Sequence, residues 1–497
     1  MTQGLKQATS SSLEPKDWEA FRKLWLRAVD ETIDWLKTLD ASPAWQRMPS
    51  AVRSELNEPL PRAGQSPQRA YEDFARLVRP FGNGNSHPRF WGWVQGSGLP
   101  LGAMADMLAA AMNPHLAGFD HAPRLVEEQV LQWLSSLMDF PKNTSGLLTS
   151  GASMANLIAL TVARNAKADW DIRRLGVRGG SRPLIAYCCS ESHSCMQRAI
   201  EMLGLGSDAL RLIPTDAAFR MDVSELDKAI ERDRSAGLLP FCVIANCGTV
   251  NTGAIDDLEA VSEIARHNDL WFHVDGAFGA LAAISPLLKS RVAGLESADS
   301  VAFDLHKWMY LPFEVGCVLV KNAEAQREAF AVSPAYLGSE TRGVLVGGLP
   351  FADRGVELTR GFKALKVWMC IKAYGIDAFA ESIEKNVGQA EYVGRLVANH
   401  GELELLAPIS LNVVCFRYAP ANGAADKLDA VNREIILRLQ ESGTAVVSST
   451  NIGGKLAIRC AIVNHRSQQS DFDRFISAVL DEGKKILAET TGDGRFA

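Results

Sequence analysis

The chain has 497 residues, of which 47% are hydrophobic and 22% charged, and this length predicts about two to four globular domains with ample core. Its 40 glycines and 21 prolines are close to average usage, which excludes collagen-like, coiled-coil and largely disordered classes. The 52 basic and 58 acidic residues give a net charge of -6 without a sustained basic run, so we expect no nucleic-acid partner and a small molecule as the ligand.

The N-terminal part, residues 1–95, predicts a helical segment. Apolar residues recur at mostly helical spacing over 17–39, and Ser66-Pro67 opens a second amphipathic helix. Over residues 81–100, glycines, prolines and aromatic residues interrupt any regular element. We expect a loop of this length with so many aromatic rings to line a site.

Residues 96–375 predict a large α/β domain with a mostly parallel central sheet and helices on both faces, because apolar strand candidates alternate with helical segments. Residues 376–497 predict a smaller α+β domain. The strand candidates are 184–189, 241–245, 270–274, 301–303 and 316–320 in the large domain, and 413–417 and 455–459 in the small one. The main helical candidates are 154–166, 196–203, 258–265 and 362–373.

Cysteine usage and the first residues bear on location. The nine cysteines lie between Cys188 and Cys460 without paired CxxC spacing, which is typical of reduced thiols in a cytosolic protein. We expect most of them to be buried as small apolar residues. The first residues lack the basic and apolar regions of a signal peptide, and no stretch approaches the roughly 18 apolar residues of a membrane span. The sequence therefore predicts a soluble, cytoplasmic protein without a membrane partner.

Small and polar residues follow several of the strands, where open α/β sheets bind ligands. LLTSGASMANLIAL predicts a short strand, a turn of small residues and then a helix. Ala152 and Ser153 would begin this helix and favour an anion such as phosphate, although small residues also simply allow a tight turn. His193 lies between a strand and a helix, where its ring could stack on a planar ligand, cap the helix or belong to the core. Thr249 follows another strand, where its hydroxyl could bind an anion or satisfy the backbone.

Asp275 and Lys307 carry the most specific signal. Asp275 ends the apolar strand of LWFHVDGAFGA, so its carboxylate requires either exposure at the sheet edge or a cation. Lys307 follows the next strand and is either a surface residue or, near the ligand crevice, a nucleophile. One ligand, pyridoxal 5'-phosphate, accounts for the whole set, because its protonated ring nitrogen would pair with Asp275 and its aldehyde would form a Schiff base with Lys307. Its phosphate and ring face would then meet Ala152, Ser153 and His193.

The segments SGAS, HVDGAF and DLHKW resemble, in this order, the motifs of the group II pyridoxal-phosphate-dependent amino acid decarboxylases, above all of their aromatic branch. The resemblance also covers HPRFWGWV, RGFKALKVW and LAIRCAIVN, and extends from about Trp18 to the end of the chain. It implies the type I aminotransferase-like fold and an intertwined homodimer with active sites at the subunit interface.

The resemblance also implies roles for single residues of this chain. Lys307 would be the catalytic Schiff-base lysine, Asp275 the partner of the ring nitrogen, and His193 a stacking and catalytic residue. The other positions that match cofactor contacts are Ala277 beneath the ring and, on the phosphate side, Ala152, Ser153, Thr249 and His306.

Four positions depart from the pattern of that family. Asp304 stands where many members have Asn, so its carboxylate must point away from a phosphate dianion or be protonated. Trp93 and Gly96 stand at substrate-binding positions that often hold Tyr and Thr, which keeps a bulky wall but removes a hydroxyl. Phe351 aligns with the Tyr of a mobile loop, here residues 336–360, that would donate a proton to the substrate carbon.

These observations predict decarboxylation of an L-amino acid to its amine and carbon dioxide. Trp93 and the aromatic residues before it favour an aromatic or large apolar substrate, unless they belong to the core. Two alternatives stay open: an aldehyde synthase, which Phe351 raises, and a non-catalytic binding protein, which the intact pair of Lys307 and Asp275 disfavours. A metal hydrolase is disfavoured because the histidines lack HxxxH and HxH spacing.

Overall fold

The computed structural model describes residues 12–332, 341–346, 350–421, 423 and 426–493. Helices form its N-terminal part, as the sequence predicts: α1 (Trp18–Lys37), α2 (Ser50–Glu55) and α3 (Pro67–Asp73). The carboxylate of Asp17 caps α1 and the hydroxyl of Ser66 caps α3, which explains where these helices begin. No residue of α1 is buried, so its apolar side chains are exposed or only half-buried in the single chain.

A seven-stranded sheet lies at the centre of the large domain. Its strands are β1 (Ser145–Thr149), β2 (Leu184–Cys189), β3 (Leu210–Ile213), β4 (Leu239–Asn246), β5 (Trp271–Asp275), β6 (Ser300–Asp304) and β7 (Gly316–Val320). They lie in the order β1-β7-β6-β5-β4-β2-β3, and only β7 runs against the others. The carboxyl ends of six strands therefore share one edge of a mostly parallel sheet, as predicted.

Helices cover both faces of this sheet. Those of the large domain are α4 (Pro100–Met112), α5 (Ala122–Leu137), α6 (Ala152–Lys167), α7 (Ile172–Leu175), α8 (Cys195–Met202), α9 (Val223–Ser235), α10 (Leu258–His267), α11 (Leu305–Trp308), α12 (Ala323–Phe330) and α13 (Ala364–Ala398). The coverage explains why β2 and β5 are buried along their whole length and read as apolar runs rather than as alternating patterns.

A four-stranded antiparallel sheet with two helices forms the C-terminal part, as expected for a smaller α+β domain. Its elements are β8 (Leu403–Leu405), β9 (Val413–Tyr418), α14 (Leu428–Glu441), β10 (Ser448–Ile452), β11 (Lys455–Ala461) and α15 (Gln469–Asp493). The strand order is β10-β11-β9-β8. The domain boundaries at residues 95 and 375 stay a prediction; α13 continues through the second one, interrupted by Gly375 with a φ of 73°.

All nine cysteines are buried and free of disulfides, which confirms the prediction that they serve as small apolar residues. Burial raises the pKa of their thiols, to about 12 at Cys188 and Cys195. Within the described part of the chain, no helix is both long and apolar enough to cross a bilayer.

Candidate active site

A cavity of about 670 Å³ opens at the carboxyl edge of the central sheet. Its wall is built by the loops that follow the strands, by the aromatic loop of residues 93–95 and by β10 and β11 of the small domain. The predicted site residues in this wall are Trp93, Ala152, Ser153, His193, Asp275, Ala277, His306 and Lys307. The fold thus gathers most of the predicted site from segments far apart in sequence, because parallel strands end at the same edge.

Asp275 is a buried carboxylate whose charge the chain compensates only in part. Burial raises its pKa, and the charge of Lys307 offsets only part of this rise. The N–H of Ala277 donates one hydrogen bond to the carboxylate, over 3.2 Å. A protonated ring nitrogen, as in pyridoxal phosphate, would supply the missing cation, so the site fits that group at this end.

Lys307 lies on α11, directly after β6, and pairs with Asp304. Its Nζ is 2.9 Å from Asp304 Oδ2. The other oxygen of Asp304 accepts a hydrogen bond from the N–H of Ala152, the first residue of α6, over 2.6 Å. The carboxylate therefore lies at the phosphate end of the predicted site, and its charge is balanced by an ammonium and by a helix N-terminus.

The start of α6 is the part of the cavity wall where the phosphate of the cofactor would lie. This helix of 16 residues begins directly after the small residue Gly151, and Ser153 in its first turn reaches the cavity wall. The positive end of a helix dipole and a hydroxyl favour an anion. The N–H of Ala152 is engaged by Asp304, a partner that the sequence did not reveal.

Two histidines in the wall have defined hydrogen-bond partners. His193 Nδ1 accepts a hydrogen bond from the N–H of Cys195 over 3.2 Å, which leaves the ring hydrogen on Nε2. Loss of hydration lowers the pKa of His193, so the ring is neutral near pH 7. His306 packs against the Phe313 ring with 4.4 Å between centroids, and its Nδ1 lies 3.0 Å from the carbonyl oxygen of Val315; burial lowers the pKa of His306 too.

Thr249 and Gly96 lie next to the cavity but do not form its wall. The hydroxyl of Thr249 is buried in its own turn, 3.0 Å from Thr252 Oγ1 and 3.1 Å from the N–H of Ala254. The N–H of Gly96 donates to the carbonyl oxygen of His306 over 3.1 Å. A Cβ at Gly96 would lie 2.3 Å from that oxygen, so no threonine fits here without a shift of the backbone.

Phe351 is fully buried and lies outside the cavity wall. The guanidinium groups of Arg354 and Arg360 lie 4.9 Å and 5.1 Å from the centre of its ring, and Arg360 forms a buried ion pair with Glu127. The structure thus places Phe351 in a cation-lined part of the core. Residues 336–340 and 347–349 of the predicted loop lie outside the described residues.

Arg459 is a wall residue to which the sequence assigned no role. Its Nε donates to the carbonyl oxygen of Asn251 and its Nη1 to that of Trp93, both over 3.0 Å. It thereby ties the aromatic loop to the loop after β4, and burial lowers its pKa. The available signal was a single charged residue within the apolar strand LAIRCAIV.

Comparison with known proteins agrees with the geometry. Residues 49–419 match the family model of the pyridoxal-dependent decarboxylase conserved domain. The chain is 35% identical to aromatic-L-amino-acid decarboxylase of Bacillus atrophaeus, over 95% of this chain and 96% of that one. It is 28% identical to phenylacetaldehyde synthase of Arabidopsis thaliana, over 97% and 100%.

Solved structures share the fold. The crystal structure of Oryza sativa TDC with PLP and tryptamine has a TM-score of 0.87 and 25% identity, and the match covers 96% of this chain and 100% of that one. The predicted type I aminotransferase-like fold and the predicted cofactor, pyridoxal 5'-phosphate, are thereby confirmed. The chain belongs to the pyridoxal-dependent decarboxylase family and is a pyridoxal-phosphate-dependent carboxy-lyase.

Proposed function

We propose that this enzyme decarboxylates an aromatic L-amino acid and releases the amine and carbon dioxide. The observation that carries the proposal is the pair of Asp275 and Lys307 in the wall of one cavity, where a partly compensated carboxylate and an amine face the same space. When bound, pyridoxal phosphate supplies an electron sink for the bond to the substrate carboxylate.

Four residues of this chain would each have a separate role in the reaction. Asp275 would pair with the protonated ring nitrogen of the cofactor, and the amine of Lys307 would hold the cofactor aldehyde until the substrate amine takes its place. Asp304 keeps the Lys307 side chain aimed at the cavity through the 2.9 Å ion pair. His193, neutral and with its hydrogen on Nε2, is able to stack on the ring and to donate a proton.

Two observations favour an aromatic substrate. The indole of Trp93 forms part of the cavity wall, and an aromatic wall adds about 0.5–1.5 kcal/mol to the burial of another ring. Several relatives carry names of this type, among them tryptophan decarboxylase 2 of Oryza sativa and tyrosine decarboxylase 4 of Petroselinum crispum. Glutamate, whose side chain is charged, serves as the matched negative substrate.

The test is release of carbon dioxide by purified protein loaded with pyridoxal phosphate, from tryptophan, tyrosine, phenylalanine and glutamate. We expect turnover with at least one aromatic amino acid and none with glutamate. Turnover of glutamate alone would contradict the substrate class, and absence of turnover with a broad set of amino acids would favour a non-catalytic binding protein.

A second candidate, an aldehyde synthase, is favoured by the relative named phenylacetaldehyde synthase; Phe351, which is buried outside the cavity wall, adds nothing to it. Both activities release carbon dioxide, so the yields of amine, aldehyde, ammonia and peroxide separate them. If Phe351 replaces the proton-donating Tyr, Phe351→Tyr raises the ratio of amine to aldehyde, since general acid catalysis contributes about a hundredfold or more. Because Phe351 is buried between two guanidinium groups, we expect an unchanged ratio and assign proton donation to His193 or a bound water.

We also infer a homodimer with active sites at the subunit interface. Large apolar side chains lie exposed on α1, including Trp18 (63% exposed) and Trp25 (49%), and on α4, including Met107 and Met112. Soluble monomers rarely expose such contiguous faces. Light scattering should give twice the chain mass for the wild-type protein, and Trp25→Glu should shift the protein toward the monomer. A wild-type protein that is already a monomer would contradict the proposal.

Location and domain organisation complete the proposal. Nine buried thiols without a disulfide suit a reducing compartment, so we assign the enzyme to the cytoplasm. We retain the division into residues 1–95, 96–375 and 376–497, which limited proteolysis would test through cleavage near residues 95 and 375.

A further inference from the structure

Asn386 of α13 is a fully buried amide whose oxygen binds two side chains from the segment of Lys307. Asn386 Oδ1 accepts hydrogen bonds from Trp308 Nε1 over 3.1 Å and from the Tyr310 hydroxyl over 2.8 Å. Trp308 directly follows Lys307 in the chain, and Tyr310 comes two positions later. A single oxygen atom of α13 thus anchors two side chains within three residues of Lys307. The proposed function gives Asn386 no role.

The neighbours of Asn386 fix the orientation of its amide from both ends. An indole N–H only donates, so the atom that faces Trp308 Nε1 is the amide oxygen. A main-chain carbonyl only accepts, so the atom that faces the main-chain oxygen of Asn464, 3.1 Å away, is the amide nitrogen. This nitrogen also donates to Gln389 Oε1 over 3.1 Å, and Gln389 Nε2 donates to the main-chain oxygen of Ser467 over 2.8 Å. Both hydrogens and both acceptor positions of the Asn386 amide are therefore in use.

The turn that carries Lys307 requires support from outside. The helix α11 has four residues, which is one turn, and a helix of one turn is not stable by itself. The residues that follow it have a strained backbone, because Tyr310 has a φ of 56°, in the left-handed region that residues other than glycine rarely adopt. Such strain persists only where the surroundings hold it. Here the Tyr310 hydroxyl is bonded to Asn386, and the Tyr310 carbonyl oxygen accepts from the N–H of Leu99 over 2.8 Å.

The small domain holds the other end of the Asn386 amide. Residues 464–467 follow β11, and two of their main-chain oxygens accept the hydrogen bonds that come from α13. The same segment binds the chain just before the aromatic loop, because Asn464 Nδ2 donates to the carbonyl oxygen of His87 over 2.8 Å. Asn386 is therefore the side chain through which this fixed segment of the small domain reaches the turn of Lys307.

We propose that Asn386 is a positioning residue for Lys307, which fixes the turn of α11 against the small domain and so keeps the lysine amine where it meets the cofactor aldehyde. The inference deepens the proposed function, because it rests on Lys307 as the residue that holds the cofactor. The lysine side chain is long and flexible, so the position of its Cα decides where the amine can reach. A misplacement of about 1 Å typically costs about a hundredfold in rate.

Two ligands separate the position of Lys307 from the shape of the cavity. With pyridoxal 5'-phosphate, the nitrogen of the Lys307 ammonium forms a double bond to the aldehyde carbon, and the aldehyde oxygen leaves as water with two hydrogens of that nitrogen. Pyridoxine 5'-phosphate has the same ring and phosphate but an alcohol in place of the aldehyde, so it binds without this reaction. The first-order rate constant of the visible absorbance band at saturating pyridoxal phosphate measures the reaction. Equilibrium dialysis gives the Kd of pyridoxine phosphate.

Two substitutions test the role of the Asn386 amide. Asn386→Leu removes its four hydrogen bonds at similar side-chain volume, and Tyr310→Phe removes one hydroxyl on the side of Lys307. We expect the rate constant to fall by about tenfold to a hundredfold in both variants, while the Kd of pyridoxine phosphate stays within about twofold of the wild-type value. The Kd stays because both variants leave Asp275 and the start of α6 in place.

Asn432→Leu is the matched structural control. Asn432 is also fully buried. Its Oδ1 accepts from the N–H of Tyr418 over 2.8 Å, and its Nδ2 donates to the main-chain oxygens of Tyr418 and Leu428 over 2.9 Å and 2.8 Å. These residues connect α14 to β9 within the small domain, and none of them lines the cavity. We expect this variant to lower the Tm and to leave the rate constant and the Kd at their wild-type values.

A wild-type rate constant in folded Asn386→Leu would overturn the inference, and Tyr310→Phe decides alone if the first variant does not fold. Equal losses of rate and of affinity for pyridoxine phosphate would overturn it too, because the amide would then only support the cavity as a whole. Lys307→Ala separates this failure from that of the proposed function. Loss of the absorbance band with retained binding of pyridoxine phosphate supports the role of Lys307, and the rate constants then decide about Asn386. A band that forms in Lys307→Ala would refute both assignments.

Discussion

Asp275 and Asp304 end the neighbouring parallel strands β5 and β6, and both are buried, yet the chain treats their charges differently. Asp304 has a lysine ammonium at 2.9 Å and a helix N–H at 2.6 Å. Asp275 has a raised pKa, because its surroundings offset burial only in part. The charge of Asp304 is thus balanced by groups of the chain itself, whereas the charge of Asp275 is balanced only in part and can pair with a cation of a bound ligand. Two equivalent positions on one sheet edge have separate tasks, and the neighbours of each carboxylate decide which.

Lys307→Ala should have the largest effect, since it removes both the covalent link to the cofactor and the cation that balances Asp304. We expect no turnover and no visible absorbance band after dialysis, with a circular dichroism spectrum like that of the wild type. A band that survives dialysis would show that another lysine holds the cofactor.

Asp275→Asn should come next, because it replaces the carboxylate meant for the ring nitrogen by a neutral group of the same shape. Loss of a single electrostatic contact to the reacting system typically costs about 10²–10³-fold in rate. We expect a decrease of this size in kcat, together with weaker binding of pyridoxal phosphate. Fluorescence titration and carbon dioxide release measure the two effects.

Asp304→Asn should have a smaller effect on rate than Asp275→Asn, because an amide oxygen can still accept the hydrogen bond from the N–H of Ala152 while only the ion pair with Lys307 is lost. The alanine variants should follow the same order, so that Asp275→Ala lowers the rate more than Asp304→Ala does. Equal losses in the two Asn variants would abolish the distinction between the two aspartates.

The smallest effect concerns the stability of the cofactor-free protein. An Asp carboxyl in the unfolded chain ionises near pH 3.9, whereas Asp275 in the folded chain keeps its proton to higher pH. Its contribution to stability is therefore full below the ordinary pKa and is lost as the pH rises through the raised one. The Asn side chain of Asp275→Asn does not ionise, so this variant does not lose stability as the pH rises. The free energy of unfolding of the variant should therefore exceed that of the wild type by about 1–3 kcal/mol at pH 8.

Thermal unfolding of both cofactor-free proteins over a pH series provides the measurement. The difference in Tm should shrink as the pH falls toward 4, about the ordinary pKa of Asp. Other buried acids with raised pKa values, such as Glu127 and Asp256, are common to both proteins and cancel. A constant difference would mean that Asp275 is compensated as well as Asp304.

Interior strands were easier to predict from the sequence than edge strands. The predicted β2 and β7 coincide with the observed strands, since buried strands read as apolar runs. The strands without a prediction, β3, β8 and β10, all lie at a sheet edge. Edge strands carry polar and charged residues, as in LRLI and SSTNI, because one side of their backbone meets solvent.

For the site, the sequence revealed residues that end strands but not the partners that hold them. Asp275 and Lys307 were identifiable because polar residues after apolar strands meet at one edge. The bond between Asp304 and Ala152 joins residues 152 positions apart, and no local pattern encodes such a pairing. His273 carried a readable signal, as a lone polar residue inside an apolar strand, but its hydrogen bond with Asn156 depends on how α6 lies against β5.

The burial of every cysteine has a consequence for chemical reactivity. The thiolate is the form that reacts with alkylating agents and peroxide, and a pKa of about 12 at Cys188 and Cys195 leaves almost none of it at pH 7. Each thiol becomes reactive only when its segment opens to solvent. The rate at which a maleimide modifies each of the nine cysteines would therefore measure how often the surrounding segment opens to solvent. A bound ligand should slow the modification of the thiols beside the cavity further.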